Sequence, residues 1–123
     1  DAPMNAAPSL GTLGDFRVRK SIRLLSESFA SEIALDDVAR ESGLSRPHFY
    51  SLFRKHTGLT PHLFVNTLRM EHAILGLSNS EKSVTEIGFE IGFGSQSGFT
   101  RFFAANTGMA PTAFRRAAHQ ISA

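Results

Sequence analysis

The chain states one pattern twice, fifty residues apart, and that repeat limits its architecture more than any other feature. Phe49, Phe53, Thr57, Gly58, Pro61 and Phe64 recur as Phe99, Phe103, Thr107, Gly108, Pro111 and Phe114. Upstream the offset drops to forty-nine: Val38, Glu41, Gly43 and Leu44 match Ile87, Glu90, Gly92 and Phe93, and Gly94 is the inserted residue. Each copy reads as a short helix, a Gly-containing turn and a second helix with its own start and stop. That is the pattern of a helix-turn-helix. Two such units in one chain point towards double-stranded DNA.

A length of 123 residues suits one compact domain, or two very small ones sharing a linker. Hydrophobic content of 41% suffices for small cores, and 11 Phe residues supply most of their bulk. The absence of Cys excludes disulfide staples, thiolate metal sites and cysteine nucleophiles. It also fits a reducing compartment. No apolar run reaches the length of a membrane span, and no basic start precedes an apolar stretch as in a secretory signal. A cytoplasmic protein with no membrane partner is expected.

The net charge is only +2, but the charges are segregated. No acid falls between Glu41 and Glu71, a gap that holds Arg46, Arg54, Lys55 and Arg69. None follows Glu90, after which come Arg101, Arg115 and Arg116. The acids gather on the first helix of each repeat, as Asp36, Asp37 and Glu41, then Glu86 and Glu90. One basic face on a nearly neutral chain is the electrostatic footprint of a polyanion binder.

Residues 1–15 are rich in Ala, Pro, Ser and Gly without apolar periodicity, and read as a flexible linker or arm. Because residue 1 is not Met, the chain is expected to be a fragment of a longer protein. The domain proper is expected over 16–118, with 119–123 as a tail. Its first helix runs from Phe16 to about Ala30, with Val18, Ile22, Leu25 and Phe29 on one stripe. The first helix-turn-helix covers about 35–57: a helix over Leu35 to Ser42, a turn at Gly43, and a helix capped by Ser45 and closed by Gly58. Thr60 and Pro61 open a long linker helix over about 60–77. Ser83 and Glu86 form a capping box that starts the second helix-turn-helix, about 84–107, where Ser95 caps the later helix and Gly108 ends it. A last helix begins at Pro111 and fades after Ala118. The expected fold is therefore all-α, with seven helices and two helix-turn-helix units joined by a long linker helix.

In the second helix of each unit, Phe49, Leu52 and Phe53 share one side, as do Phe99, Phe102 and Phe103, and these sides must face a core. The opposite faces carry Arg46, Pro47, Tyr50, Ser51 and Arg54 in the first copy. In the second they carry Gln96, Ser97, Thr100, Arg101 and Ala104. Such faces suit a major groove, where Arg pairs with guanine, Gln with adenine, and a Thr methyl touches thymine. Phosphate contacts are expected from Arg54 and Lys55 and at helix starts marked by Ser45, Thr60 and Ser95. Pro47 and Tyr50 make the first face poorer in hydrogen-bonding base readers, and Gly98 leaves a bare patch on the second. A linker of about 18 residues gives a rod of about 27 Å. Successive major-groove faces lie about 34 Å apart, so offset packing or DNA bending would bring both units into adjacent grooves.

Together these residues resemble the DNA-binding domain of the AraC/XylS family of bacterial transcription regulators. The resemblance covers about Val18 to Arg116. It rests on Leu35-Asp36-Asp37-Val38-Ala39, Ser42-Gly43-Leu44-Ser45, Leu52-Phe53-Arg54-Lys55, Gly58-Leu59-Thr60-Pro61 and Leu68-Arg69-Met70 with Ala73. It continues through Ile87-Gly88-Phe89-Glu90-Ile91-Gly92-Phe93, Ser97, Phe99, Arg101-Phe102-Phe103, Gly108-Met109-Ala110-Pro111 and Phe114-Arg115. The resemblance implies promoter binding and recruitment of RNA polymerase, usually as an activator. It places base reading on Arg46, Pro47, Tyr50 and Ser51, and on Gln96, Ser97, Thr100 and Arg101. Ala104 and Ala105 stand where the family often has a basic residue. Most members also carry a separate sensing or dimerisation domain, which is absent from this sequence.

Two other classes compete. An enzyme finds little support: the five His residues are scattered, and Glu71-His72 lacks the second His of a zinc-protease helix. No catalytic residue, metal site or cofactor is expected. Without Cys, the alkyl-transfer chemistry of some DNA-repair proteins joined to this domain type is also impossible. A helical-repeat interaction module needs about three or more repeats to bury a continuous core, and here there are two.

Overall fold

The computed structural model describes residues 15–31 and 34–122. The arm expected over 1–15 lies outside the described residues except for Asp15. Among those residues the protein is all-α, with seven helices and no strand: α1 Phe16–Ser28, α2 Leu35–Glu41, α3 Arg46–Thr57, α4 Pro61–Asn79, α5 Val84–Glu90, α6 Gln96–Thr107 and α7 Pro111–Ser122. They form two compact units, one drawing on residues 15–28 and 34–66, the other on Phe29–Ser31 and residues 67–122.

The first unit closes around Phe49 and Phe53, both fully buried on α3. Their rings meet edge to face at 5.7 Å, and Phe53 meets Phe64 of α4 at 5.5 Å, the tilted geometry that aromatic quadrupoles favour. Val18 and Leu25 of α1 and Val38 and Ala39 of α2 complete this core. The stripe expected on α1 holds in part: Ile22 and Phe29 are only half-buried, while Ser21 is fully buried. Its hydroxyl donates to the Val18 carbonyl at 2.7 Å, which removes the cost of hiding a polar group.

The second unit repeats the arrangement. Phe99 and Phe103 are fully buried on α6 at 5.9 Å, and Phe103 meets Phe114 of α7 at 5.3 Å. Ala73 and Leu77 of α4 and Ile87 and Ile91 around α5 fill the rest, with Phe29, Phe93 and Phe102 packed against them. Phe29–Ser31 belongs here because α1 stops at Ser28, two residues before the end expected from periodicity. Arg69 of α4 donates to the carbonyls of Phe29 at 2.9 Å and Ser31 at 3.3 Å.

Several local devices also occur twice. Gly43 and Gly92 turn the chain with φ of 80° and 99°, a region that other residues rarely enter. Ser45 accepts the His48 amide and Ser95 the Gly98 amide, so α3 and α6 start on the same kind of cap. Thr57 and Thr107 each donate to the carbonyl four residues back and accept the amide two residues on, sealing both helix ends. The expected capping box has both arms, each of 3.0 Å, between Ser83 and Glu86.

Two boundaries extend past expectation. The linker helix α4 reaches Asn79, and α7 continues to Ser122 instead of fading after Ala118 into a tail. No Gly or Pro interrupts α7 after Pro111, and His119 in its last turn suits the negative end of a helix.

Candidate nucleic-acid interface

At about 100° of rotation per residue, a helix whose inner side is Phe49, Leu52 and Phe53 points Pro47, Ser51 and Arg54 most nearly outward. Arg46 and Tyr50 then sit on one flank of that face, and His48 on the other. The structure follows this geometry. Arg46, Pro47, His48, Ser51, Arg54 and Lys55 are exposed, while Tyr50 is half-buried. On α6, Gln96, Ser97 and Arg101 are exposed and Thr100, the counterpart of Tyr50, is half-buried. Each group of expected base readers therefore shares one side of its own helix. His48 belongs with the exposed set as well. Its flank position was the signal for it in the sequence.

Tyr50 is turned inward. Its ring packs edge to face on Phe49 at 5.7 Å and near the His62 ring at 6.1 Å, and the Arg46 guanidinium lies over it at 5.6 Å. Its hydroxyl is buried and meets no hydrogen-bond partner among the described residues. The polar end of Tyr50 is thus withheld from the exposed face.

Of the expected phosphate contacts, Arg54 and Lys55 extend from the exposed side of the last turns of α3. Ser45 and Ser95 are exposed and Thr60 half-buried. Each hydroxyl accepts a main-chain amide, from His48, Gly98 and Leu63 respectively, so each is first of all a helix cap. Neither α3 nor α6 contains an acidic residue of its own, and the carboxylate beside the α3 face is that of Asp36 of α2, 3.4 Å from Arg46.

Two arginines counted in the basic segregation prove to be structural. Arg69, besides its bonds to Phe29 and Ser31, lies 5.9 Å over the Phe93 ring, and burial lowers its pKa below the ordinary arginine value. Arg115 donates to the carbonyls of Leu77, Gly76 and Ser80, which satisfies acceptors left open at the end of α4. Among the acids, Glu90 is engaged by Lys82 at 2.6 Å and lies 3.0 Å from His72. These two partners hold its carboxyl below the usual carboxylate range.

A profile described as a helix-turn-helix domain matches residues 38–117. The chain belongs to the AraC-type helix-turn-helix family. This AraC-type domain is 33% identical over 105 residues to the HTH-type transcriptional activator RhaS of Salmonella schwarzengrund. The match takes in 85% of the chain but 38% of that activator's length. The fold matches the C-terminal domain of AraT, a response regulator from Geobacillus stearothermophilus, with a TM-score of 0.77 at 23% identity, covering 84% of this chain and 86% of that one. It also matches the DNA-binding domain of AdpA, a global transcriptional factor solved with a target DNA. There the TM-score is 0.74 at 27% identity, over 82% of this chain and 91% of that one. Among the described residues no helix is long and apolar enough to cross a membrane.

Proposed function

We propose that this AraC-type domain binds double-stranded promoter DNA sequence-specifically. Its two helix-turn-helix units enter adjacent major grooves, and it forms the DNA-binding part of a bacterial transcription activator that recruits RNA polymerase. One observation carries the reading: two exposed, acid-free helix faces stand at the same register of a repeat, each fixed from behind by a buried Phe pair. Base contacts fall to Arg46, Ser51, Gln96, Ser97, Thr100 and Arg101, with Pro47 and Tyr50 contributing shape. Phosphates fall to Arg54, Lys55 and the helix starts at Ser45, Thr60 and Ser95. The relatives named above, an activator and a domain held on its target DNA, support this assignment.

Binding to a labelled duplex, measured over a series of salt concentrations, tests it. Neutralising several phosphates gives a log–log slope several units negative, at about 0.9 per phosphate. A flat response, or no retention of the duplex at low salt, overturns the reading.

A further inference from the structure

The leading side chain of each recognition helix is gripped by the helix before it, at the same place in both repeats. With the offset of forty-nine, Asp36 of α2 corresponds to Thr85 of α5; with the offset of fifty, Arg46 of α3 corresponds to Gln96 of α6. Asp36 Oδ1 lies 3.4 Å from Arg46 Nε. The Thr85 hydroxyl donates to Gln96 Oε1 at 3.1 Å. The contact is conserved between the copies while its chemistry changes from an ion pair to a neutral hydrogen bond.

We propose that Asp36 and Thr85 are positioning residues that set what the first side chain of each recognition helix presents to a base. This inference rests on the DNA-binding reading above. With its oxygen engaged by Thr85, the Gln96 amide turns its NH₂ group away, and an outward donor matches acceptors such as purine N7, guanine O6 or thymine O4. Asp36 engages Arg46 through Nε, and the Tyr50 ring lies against the guanidinium. The Nη pair that forks onto guanine O6 and N7 is then left to face outward. The Asp36 carboxylate also repels a phosphate from the same spot, which favours a base over the backbone as the target of Arg46. A long side chain already held loses less rotamer freedom on binding, so both grips raise discrimination without adding a DNA contact.

The grips are exposed and contribute little to folding, so their loss is read in sequence preference. Randomised-site selection is run on the parent, Thr85→Val, Thr85→Ser, Gln96→Ala, Thr85→Val with Gln96→Ala, Asp36→Asn and Arg46→Ala, with a thermal melt of each. Thr85→Val is expected to melt like the parent. It should lose roughly fivefold of the discrimination at the base pair that Gln96→Ala also loosens, the scale of a single well-placed hydrogen bond. Thr85→Ser restores it, and the double variant is no worse than Gln96→Ala alone. Asp36→Asn loosens the base pair that depends on Arg46 and binds random duplex more tightly. Parental stringency in both Thr85→Val and Asp36→Asn overturns the inference, as does a Thr85→Ser variant that behaves like Thr85→Val. A parent that selects no sequence at all overturns the functional reading and the inference with it, and that failure is visible in the parent alone.

Discussion

The two repeats share their skeleton and differ in what they show to the outside. Phe49, Phe53 and Phe64 do in the first copy what Phe99, Phe103 and Phe114 do in the second, with ring separations that agree within a few tenths of an ångström. Their outward residues diverge. Arg54 and Lys55 stand where the second copy has Ala104 and Ala105, and Arg46, Pro47 and Tyr50 stand where it has Gln96, Ser97 and Thr100. The first face is cationic and partly folded in on itself; the second is nearly neutral and carries side chains that both donate and accept. A long-range Coulombic attraction is insensitive to base identity, whereas hydrogen bonds to base edges are not. The comparison teaches that the first copy adds charge suited to anchoring around its proposed readers Arg46 and Ser51, whereas the second relies more on hydrogen-bonding side chains suited to reading.

The sharpest way to break the comparison is to remove the shared skeleton. Phe53→Ala and Phe103→Ala empty equivalent sites, both fully buried, and each is expected to destabilise the protein by about 3–5 kcal/mol. Urea titration followed by circular dichroism measures it. If one variant unfolds with the parent's midpoint, the two cores are not equivalent and the assignment of that helix's faces is inverted.

A second experiment sharpens the comparison where the copies differ inside. Ala39 of α2 corresponds to Gly88 of α5, and both are buried. A methyl at Gly88 would meet the Phe99 Cβ at 2.9 Å, at the base of a side chain that cannot swing away. Gly88→Ala is therefore expected to cost about 1–3 kcal/mol of overpacking, more than the gain in helix propensity returns. A rise in melting temperature would show that α5 and α6 can shift enough to accept a methyl at the position where α2 carries Ala39.

The smallest effect concerns Tyr50. Because its hydroxyl is buried without a partner among the described residues, Tyr50→Phe removes a desolvated polar group, and the melting temperature is expected to stay level or rise slightly. DNA affinity should be unchanged. A loss of affinity in a filter-binding assay would mean that the hydroxyl swings out on binding and adds a polar contact to the first copy's face.

Most of the fold was legible because the signals are local and doubled. The Phe spacing, the caps at Ser45, Ser83 and Ser95, and the closing glycines each report on a few neighbouring residues, and the repeat supplies an independent check on every one. The two candidate faces follow from the same angular argument, with Tyr50 and Thr100 falling at its margin. The fates of Arg69 and Arg115 were hidden. Periodicity reports how far a side chain points from the core, but not whether a carbonyl some forty residues away in sequence lies within its reach. Ser21 was hidden for a related reason: polarity argues for exposure unless a main-chain acceptor happens to stand one turn back.

The segment Phe29–Ser31 decides how the protein can be dissected. It follows directly on α1, yet its carbonyls receive Arg69, and the Ala30 oxygen lies where a side chain on Gly92 would have to go. The second copy is consequently not a contiguous stretch of the gene. A fragment begun at Thr67 keeps every residue of the second helix-turn-helix but leaves the Arg69 guanidinium beside an aromatic ring with its acceptors gone. Expression boundaries, permuted chains and split-protein designs have to carry these three residues along with the half they belong to.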